Sequence, residues 1–289
     1  MNARQHPRVD SFFHADTSTF THIVSDGRHA AIIDPVLDFD PASACTSTRS
    51  ADALRAHLDR HGLTVAWILE THAHADHLSA GAYLRDVLGA PLAIGRGITE
   101  VQRRFKALFG MGDEFVADGS QFDRLFDDGD AFRIGTLEAR VLATPGHTDD
   151  SLTYVIGDAA FVGDTLFAPE IGTARADFPG GDARRLYASL QAVLGLPEDT
   201  RLFLCHDYPK DRDANAESSI AAQKTHNIHL RNGTSEDDYV RMREQRDAGL
   251  PVPKLILPAL QVNIRAGRLP EPDANGIAYL RLPLNQLGV

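Results

Sequence analysis

The stretch Thr71-His72-Ala73-His74-Ala75-Asp76-His77 decides the fold, because it places four potential metal ligands within six positions. Alternate residues of an extended chain project to the same side, so His72 and His74 are expected to point the same way. We expect Asp76 and His77 to begin the next helix and to turn back toward the same point. Three imidazoles this close would repel one another when protonated and would need partners when buried, whereas one divalent cation satisfies them all. The stretch therefore predicts a metal site.

Metal-competent side chains also follow three other predicted strands. Thr144-Pro145-Gly146-His147 is a strand end with a forced turn, which aims an imidazole out of a sheet edge. Phe161-Val162-Gly163-Asp164 ends an apolar strand in an acid, and Gly163 is expected to let a ligand approach. Leu204-Cys205-His206 closes a further strand on a histidine. Each segment alone is compatible with a surface histidine or a turn aspartate, but their coincidence with the first cluster favours one shared site.

The elements around these motifs predict a mixed α/β chain. Residues 65–69 are continuously apolar, as in a buried strand, and residues 9–24 and 29–35 read as short strands on either side of an Asp26-Gly27 turn. Residues 116–164 are short strands broken by turns, which indicates a meander. Apolar residues at helical spacing, with end signals, predict four helices: one capped by Ser50 and ending at Gly62, one through Leu84 ending at Gly89, one after Asp182, and one capped by Ser235 and ending near Gly249.

Composition excludes several classes of protein. The 289 residues are 43% hydrophobic and 24% charged, close to the usual globular proportions. The net charge of -11 repels phosphate backbones and anionic membrane surfaces, so no nucleic-acid or membrane partner is expected. Two cysteines are too few to form a disulfide framework, and the first residues lack the apolar core of a signal peptide, so we expect a cytoplasmic protein. The unusual number is 13 histidines.

The ligand motifs resemble those of the metallo-β-lactamase superfamily. That superfamily carries a His-x-His-x-Asp-His loop, a later histidine, a bridging aspartate and a final histidine. The matching residues stand here in the same order, over a resemblance that covers roughly residues 9 to 270: His72, His74, Asp76, His77, His147, Asp164 and His206. The resemblance implies an α/β fold, a four-layer αβ/βα sandwich with the metal site at one edge of the two sheets. We expect a single domain over residues 1–289, with a C-terminal extension from about residue 214.

Finer matches resemble the persulfide dioxygenases, which are glyoxalase II-like members of that superfamily. Gly172-Thr173-Ala174-Arg175-Ala176-Asp177-Phe178 is similar to their Gly-x-x-Arg-x-Asp-Phe segment, and His206-Asp207-Tyr208 is similar to their His-Asp-Tyr. The tail, with Leu250-Pro251-Val252-Pro253 and then Asn263-Ile264-Arg265, resembles their short ending and not the helical domain that closes glyoxalase II. Ala266 departs from the pattern where a mitochondrial-type relative has cysteine, and residues 168–171 lengthen the segment before Arg175.

The resemblance implies one Fe(II) per chain. In persulfide dioxygenases the first loop histidine, the later histidine and the aspartate hold the metal, which here correspond to His72, His147 and Asp164. Such a 2-His-1-carboxylate triad is typical of non-haem iron enzymes that bind a substrate beside O2. The implied enzyme is a homodimer that oxidises glutathione persulfide with O2 to sulfite and glutathione. The other motif residues would orient the ligands or hold a second metal: His74, Asp76, His77 and His206.

The resemblance also implies the residues that handle the substrate. The catalytic set is Asp76, His77, Arg175 and Tyr208, and the substrate-binding set is Arg175, Tyr208 and Arg265. Glutathione is anionic, so a local basic patch is needed against the acidic background. Each of the three substrate-binding candidates also has an ordinary alternative: Arg175 can pair with Asp177, Tyr208 can hydrogen-bond the core edge, and Arg265 can be solvated.

Two other functions are compatible with the same residues. All seven ligands of a two-metal site are present, so a glyoxalase II-type hydroxyacylglutathione hydrolase with a pair of Zn(II) ions is the alternative. A non-catalytic metal- or sulfur-binding protein would keep the same ligands. Cys205 follows apolar strand residues and is interpreted as a small buried hydrophobe, not a nucleophile. Asp34 is interpreted as a turn former that, in a relative, could brace the metal loop.

Overall fold

Two six-stranded β-sheets form the centre of the molecule in a computed structural model that describes residues 5–287. The first sheet has the order β1-β2-β3-β6-β8-β9, the second β10 to β15 in sequence order, and a small third sheet the order β5-β4-β7. The strands are β1 (Arg8–His14), β2 (Thr19–Ser25), β3 (His29–Ile33), β4 (Val36–Asp40), β5 (Cys45–Ser47), β6 (Thr64–Leu69), β7 (Leu78–Ser79), β8 (Leu92–Gly95), β9 (Arg124–Phe126), β10 (Ala131–Ile134), β11 (Leu137–Ala143), β12 (Leu152–Ile156), β13 (Ala159–Phe161), β14 (Arg201–Phe203) and β15 (Glu217–Ser219).

Helices cover the outer faces of both sheets. Within residues 5–287 the α-helices are α1 (Arg49–His61), α2 (Gly81–Leu88), α3 (Ile98–Phe109), α4 (Ala183–Leu194), α5 (Ile220–His226), α6 (Glu236–Asp247) and α7 (Ile256–Asn263). One apolar core packs the first sheet against α1, α2, α3 and α7, a second fills the space between the sheets, and a third packs the second sheet against α4, α5 and α6. These three cores separate four layers, and the αβ/βα sandwich that the sequence predicts is confirmed.

Local signals account for most of these elements. Ser25 pairs with Ala30 across the predicted Asp26-Gly27 turn, which joins β2 to β3. Helices α1 and α2 end at glycines with positive φ, Gly62 and Gly89, as predicted. The side chains of Asp182 and Ser235 accept hydrogen bonds from the first turns of α4 and α6. The N-cap predicted at Ser235 is therefore confirmed, and α4 follows Asp182 as predicted. In the described part of the chain, no helix is long and apolar enough to span a membrane.

Three local predictions are wrong. Residues 9–24 are not one strand, because a turn at residues 15–18 divides them into β1 and β2. Ser50 lies inside α1 and does not cap it, since its Oγ and N donate to the Asp38 carboxylate at 2.8 and 2.9 Å. Asp76 and His77 do not begin a helix. The chain after them pairs with β4 through Leu78 and Ser79, and this pairing delays α2 until Gly81.

The topology brings the ligand-bearing loops to one edge. Strands β11 and β13 are both antiparallel to β12, and β14 is parallel to β13, so the carboxyl ends of β11, β13 and β14 lie on the same side. Strand β2 of the first sheet meets the end of β14 through a bridge between Thr19 and His206. The loop after β6 is joined to the second sheet, because Leu152 N donates to Thr71 O at 2.8 Å. The loops after four strands therefore meet at the edge where the two sheets join.

Candidate metal centre

His72, His147 and Asp164 come from three different loops and meet at one point. Each offers a ligand atom, and the three atoms all lie within 4.8 Å of one another. The Asp164 Oδ2 atom is 3.8 Å from His72 Nε2 and 3.5 Å from His147 Nε2. The two imidazole rings are nearly perpendicular, with centroids 5.3 Å apart. The structure thus brings together two imidazoles and one carboxylate in a space that a single cation would fill.

The remaining motif residues adjoin this triad. His206 Nε2 is 3.2 Å from Asp164 Oδ1 and 3.2 Å from Asp76 Oδ2, so Asp164 lies between His206 and the triad histidines. His74, Asp76 and His77 form a second group with ligand atoms within 4.8 Å of one another. The His74 and His77 rings are 4.1 Å apart. All seven residues therefore belong to one continuous cluster, and the geometry leaves room for a second metal group beside the triad.

The donor atoms of this cluster fit a divalent cation. His72 Nε2, His74 Nδ1 and His77 Nε2 are buried and have no hydrogen-bond partner among residues 5–287. Buried polar atoms without partners are costly, and protein structures almost always satisfy them. Imidazole nitrogens together with a carboxylate are suitable ligands for iron and zinc. A cation at the triad would satisfy His72 Nε2, and a cation at the second group would satisfy His74 Nδ1 and His77 Nε2. The residues present therefore fit a divalent metal.

The protonation states also favour a cation. Burial lowers the pKa of His72, His74 and His77, so these imidazoles are neutral and can offer a lone pair. Burial by itself would raise the pKa of Asp164, but the positive charge of the neighbouring His206 holds it well below its usual range. A neutral imidazole set around an ionised carboxylate is the state that binds metal.

His206 differs from the other histidines of the cluster. Burial lowers its pKa, but the carboxylates of Asp76 and Asp164 more than offset this and raise it to about 10. Its Nδ1 atom lies 3.1 Å from the Ser18 carbonyl oxygen, an acceptor, so the Nδ1 proton is held there. The Nε2 atom is the one that faces the two carboxylates. His206 therefore carries a proton between two acids, and a cation bound there would replace it.

Carboxylates behind the metal loop hold it in place. Asp34, whose φ is +52°, accepts hydrogen bonds from Thr71 N at 2.7 Å and from Thr71 Oγ1 at 2.9 Å. The same carboxylate lies 3.1 Å from His74 Nε2. Asp150 Oδ2 accepts from Ala73 N at 2.7 Å. Such outer contacts orient metal ligands. Asp34 therefore supports the metal loop, as the sequence suggested it could. The role of Asp150 was not predicted, although this residue follows His147 by only three positions.

Asn263 ties the far end of the chain to the same loop. Its Nδ2 donates to His74 O and His77 O, both at 2.8 Å, and its Oδ1 accepts from Ser79 N at 2.8 Å. Asn263 is buried at the end of α7. It belongs to the Asn-x-Arg tail segment quoted from the sequence, but the residue type alone did not reveal this role. The tail is thus part of the support of the metal loop.

Gly163 has a role different from the predicted one. Its φ is +51°, and a Cβ there would lie 2.6 Å from Thr71 Oγ1. This glycine lets the metal loop, not an external ligand, approach the end of β13. The close approach brings Asp164 next to His72.

A cavity of about 410 Å³ opens beside the cluster, a volume within the usual range of small-molecule sites. Its lining comes from the metal loops, the segment after Asp164 and the C-terminal helices: Ala75, Asp76, His147, Asp164, Phe167, Ile171, Thr173, Ala174, Arg175, Phe178, His206, Tyr208, His229, Arg243, Arg246, Leu250 and Pro253. Phe178 and Phe167 pack edge-on against His147 and His206, with ring centroids 4.9 and 6.0 Å apart. The cluster therefore faces a pocket with apolar walls.

Two of the three predicted substrate-binding residues line this cavity. Arg175 forms a bidentate ion pair with Asp177, at 2.6 and 2.7 Å, and donates to Pro251 O at 2.8 Å. The pairing with Asp177 that was the alternative to substrate binding is therefore present as well. Tyr208 is 51% exposed and stacks on His206 with centroids 6.2 Å apart. Arg265 is not among the lining residues. Its guanidinium lies over the Phe115 ring at 5.1 Å, because α7 turns the end of the chain toward α3.

Cys205 lies against the cluster but is held as a thiol. It is 2% exposed, and burial raises its pKa well above the ordinary value. Its sulfur lies within 4.8 Å of ligand atoms of His74, Asp164 and His206. A protonated, buried thiol is a poor nucleophile. The interpretation of Cys205 as a small buried hydrophobe agrees with this environment.

Comparisons with known proteins identify the class that this fold and site define. The family model for the metallo-beta-lactamase superfamily matches residues 16–206, and the chain belongs to that superfamily. The resemblance stated from the sequence is therefore confirmed at this level.

Individual members of the superfamily are similar to this chain over most of its length. The chain is 54% identical to the Beta-lactamase hydrolase-like protein of Xylella fastidiosa (strain 9a5c) over 99% of its own length but 66% of the relative, so it spans about two thirds of that protein. It is 44% identical to Glyoxylase B2 of Dictyostelium discoideum, over 97% of this chain and 98% of the relative. It is 30% identical to the mitochondrial persulfide dioxygenase ETHE1 of Homo sapiens, over 88% and 87%.

A solved structure agrees with these sequence matches. The crystal structure of ETHE1 from Myxococcus xanthus superimposes with a TM-score of 0.72 at 32% identity, covering 90% of this chain and 100% of that chain. The relatives therefore include proteins with hydrolase-type and with dioxygenase-type names.

Proposed function

We propose that this chain is a glutathione persulfide dioxygenase that holds one Fe(II) ion on His72, His147 and Asp164. The observation that carries the proposal is the grouping of these three ligand atoms within 4.8 Å of one another beside an open cavity. The likeness to ETHE1 proteins over most of both chains supports it. A homodimer, a cytoplasmic location and a single domain over residues 1–289 stay predictions from the sequence.

The reaction that we propose adds both atoms of O2 to the terminal sulfur of the persulfide. Water then cleaves the sulfur–sulfur bond, which releases sulfite and returns the glutathione thiol. A ferrous ion at the triad would supply the redox chemistry that lets a persulfide react with O2. The protein's own residues have the tasks of binding and orienting the substrate and of moving protons.

Several residues have positions suited to those tasks. Arg175 is fixed by Asp177 and by Pro251 O, so its remaining guanidinium N–H groups are pre-organised to donate to a substrate at the cavity wall. Tyr208 covers His206 at the cavity mouth. His206, whose proton lies between Asp76 and Asp164, can give that proton to the thiolate that leaves when the sulfur–sulfur bond breaks. Phe167 and Phe178 give the cavity apolar walls beside His206 and His147.

A thiolester hydrolase of the glyoxalase II type is the second candidate. The observation that favours it is the second group of ligand atoms, from His74, Asp76 and His77, next to His206. The name of the Dictyostelium relative, Glyoxylase B2, points the same way. In this alternative one Zn(II) ion would be held by His72, His74 and His147. The other would be held by Asp76, His77 and His206, with Asp164 shared between the two sets. The metals would supply an activated water.

One experiment separates the candidates. The protein is purified without oxygen, and its metal is identified and counted by mass spectrometry. Oxygen uptake is then followed with glutathione persulfide, and thiol release is followed with S-lactoylglutathione. We expect about one iron per chain and persulfide-dependent oxygen consumption. Two zinc ions with thiolester cleavage would support the hydrolase, and metal uptake with neither activity would indicate a non-catalytic metal-binding protein.

A further inference from the structure

One wall of the cavity is built by residues of the C-terminal helices that neither the metal cluster nor the predicted substrate set includes. His229 follows α5, and Arg243 and Arg246 lie on α6. All three line the cavity that also contains His147 and Asp164. His229 and Arg243 are only 6% and 3% exposed, although both are polar. Buried groups of this kind are normally satisfied by hydrogen-bond partners.

His229 presents one N–H without an acceptor. Thr173 N donates to His229 Nδ1 at 3.0 Å, so Nδ1 is the acceptor nitrogen and the ring proton of the neutral imidazole is on Nε2. The Nε2 atom is buried and has no partner among residues 5–287. Gly172, with φ of +100°, makes this arrangement possible, because a Cβ there would lie 2.2 Å from His229 Nδ1. The His229 ring therefore packs against Gly172, and its Nε2–H group is left without an acceptor among the residues described.

Arg243 presents a second donor of the same kind. Its Nη1 donates to Thr173 O at 2.9 Å and its Nη2 to Asp247 Oδ1 at 2.7 Å, which fixes the guanidinium plane. Its Nε is buried and has no partner within the described residues. Since Thr173 contacts both His229 and Arg243, one residue holds the two side chains beside each other.

Arg246 adds a positive charge at the rim. It is exposed and lines the same cavity, and no ion pair or hydrogen bond of its guanidinium occurs within residues 5–287. Arg243, in contrast, is neutralised by Asp247, and Arg175 by Asp177. The wall thus combines two buried donors that lack acceptors with one guanidinium that lacks a counter-ion. The chemical group that complements this set is an anion with two oxygens.

We infer that His229, Arg243 and Arg246 form a carboxylate subsite that selects substrates whose thiol carries an acidic group at a distance from the reacting sulfur. This inference rests on the proposed function, because it takes the substrate to be a glutathione derivative. The basic patch that an anionic substrate needs then lies on α6 and not at Arg265, which is outside the cavity. Arg246 acts as a specificity residue that supplies charge, and His229 and Arg243 supply fixed hydrogen-bond donors.

Calorimetric binding of two unreactive probes tests the subsite. The probes are S-methylglutathione and its diethyl ester, which lacks free carboxylates, and they are titrated into the full-length, iron-loaded protein without oxygen. The Arg246→Gln change should weaken binding of S-methylglutathione about tenfold, as expected for loss of one charge-assisted contact, and should change ester binding less than about twofold. Arg246→Lys should retain most of the affinity.

Arg241→Gln is the matched control. Arg241 is an exposed arginine of the same helix that does not line the cavity and pairs with Asp238, so its replacement should leave both affinities unchanged. Equal binding of the two probes to the unmodified protein, failure of S-methylglutathione to bind it, or an equal loss for both probes in Arg246→Gln would overturn the inference.

Turnover then separates this inference from the proposed function. With glutathione persulfide, Arg246→Gln should raise KM about tenfold and leave kcat within about twofold, the pattern of a contact equally strong in the ground and transition states. If the unmodified protein consumes no oxygen but the binding pattern is as expected, the dioxygenase proposal fails and the subsite stands. If oxygen is consumed and the charge of Arg246 has no effect on binding or KM, the subsite fails and the dioxygenase proposal stands.

Discussion

Removing the Asn263 carboxamide should loosen the metal loop through its backbone. The side chain makes three hydrogen bonds, to His74 O, His77 O and Ser79 N, all at 2.8 Å. Asn263→Ala leaves two carbonyls and one N–H without partners in a buried place. Each orphaned group costs about 1 to 2 kcal/mol, so we expect the free energy of unfolding to fall by about 4 kcal/mol.

The same change should weaken metal retention. The backbone of His74 and His77 loses its tether to α7, so the loop must be ordered by the metal itself. Loss of an outer support of this kind typically lowers metal affinity about 10- to 100-fold, and we expect iron to pass to a chelator at least about tenfold faster. Urea unfolding followed by circular dichroism measures the stability, and the absorbance of the ferrous chelate measures the release.

Gln261→Ala separates the two effects. Gln261 lies on the same helix, is 2% exposed, and makes three hydrogen bonds, to Leu257 O and to Arg281 N and O, none of them to the metal loop. We expect a similar loss of stability with unchanged iron release. If both variants release iron equally fast, or if Asn263→Ala releases it at the unmodified rate, Asn263 does not support the loop in the way described.

Three further predictions concern single ionisable groups. Asp164→Asn should abolish iron retention and oxygen uptake, because an amide is a far weaker ligand than a carboxylate, whereas His61→Ala, an exposed histidine of α1, should change neither. His77→Ala should keep one iron per chain by mass spectrometry, and loss of all metal would count against a mononuclear site. Burial lowers the pKa of His22 to about 4 from its ordinary 6.5, so the unfolded chain binds more protons below about pH 6.5. Protonation of His22 should therefore lower the free energy of unfolding, measured with urea, by about 2 kcal/mol between pH 7.5 and 5. His22→Gln should remove that part of the pH dependence. If the variant loses as much stability over this pH range as the unmodified protein, His22 is not the group responsible.

Elements with strong local signals could be predicted from the sequence. Gly62 and Gly89 end helices because glycine adopts a positive φ without strain, and Asp182 and Ser235 cap helices with their own side chains. Three helices were not predicted from the sequence: α3, α5 and α7. The first carries apolar residues at helical spacing that could have been read, whereas α5 and α7 are only 7 and 8 residues long, and short helices are stabilised mainly by packing.

The supports of the site could not be predicted, because they join residues far apart in the chain. Asn263 bonds to His74 across 189 positions, and Asp150 bonds to Ala73 across 77. Asp76 and His77 were expected in a helix, but pairing of the following residues with β4, a tertiary contact, keeps them in a loop. Arg265 was expected near the substrate, and the direction of α7 takes it to Phe115 instead.

The amino-acid sequence by itself determined the chemistry of this protein: which donor types are present, their order, and their places at the ends of apolar strands. Those properties belong to single residues and short segments, so they can be read without coordinates. Only the tertiary structure decided which donors share a point, that His72, His147 and Asp164 form one group, and that His229 and Arg243 stand beside the same cavity. Distances of a few ångströms between separate loops depend on how two twisted sheets and their helices pack, and that packing is set by the whole chain at once.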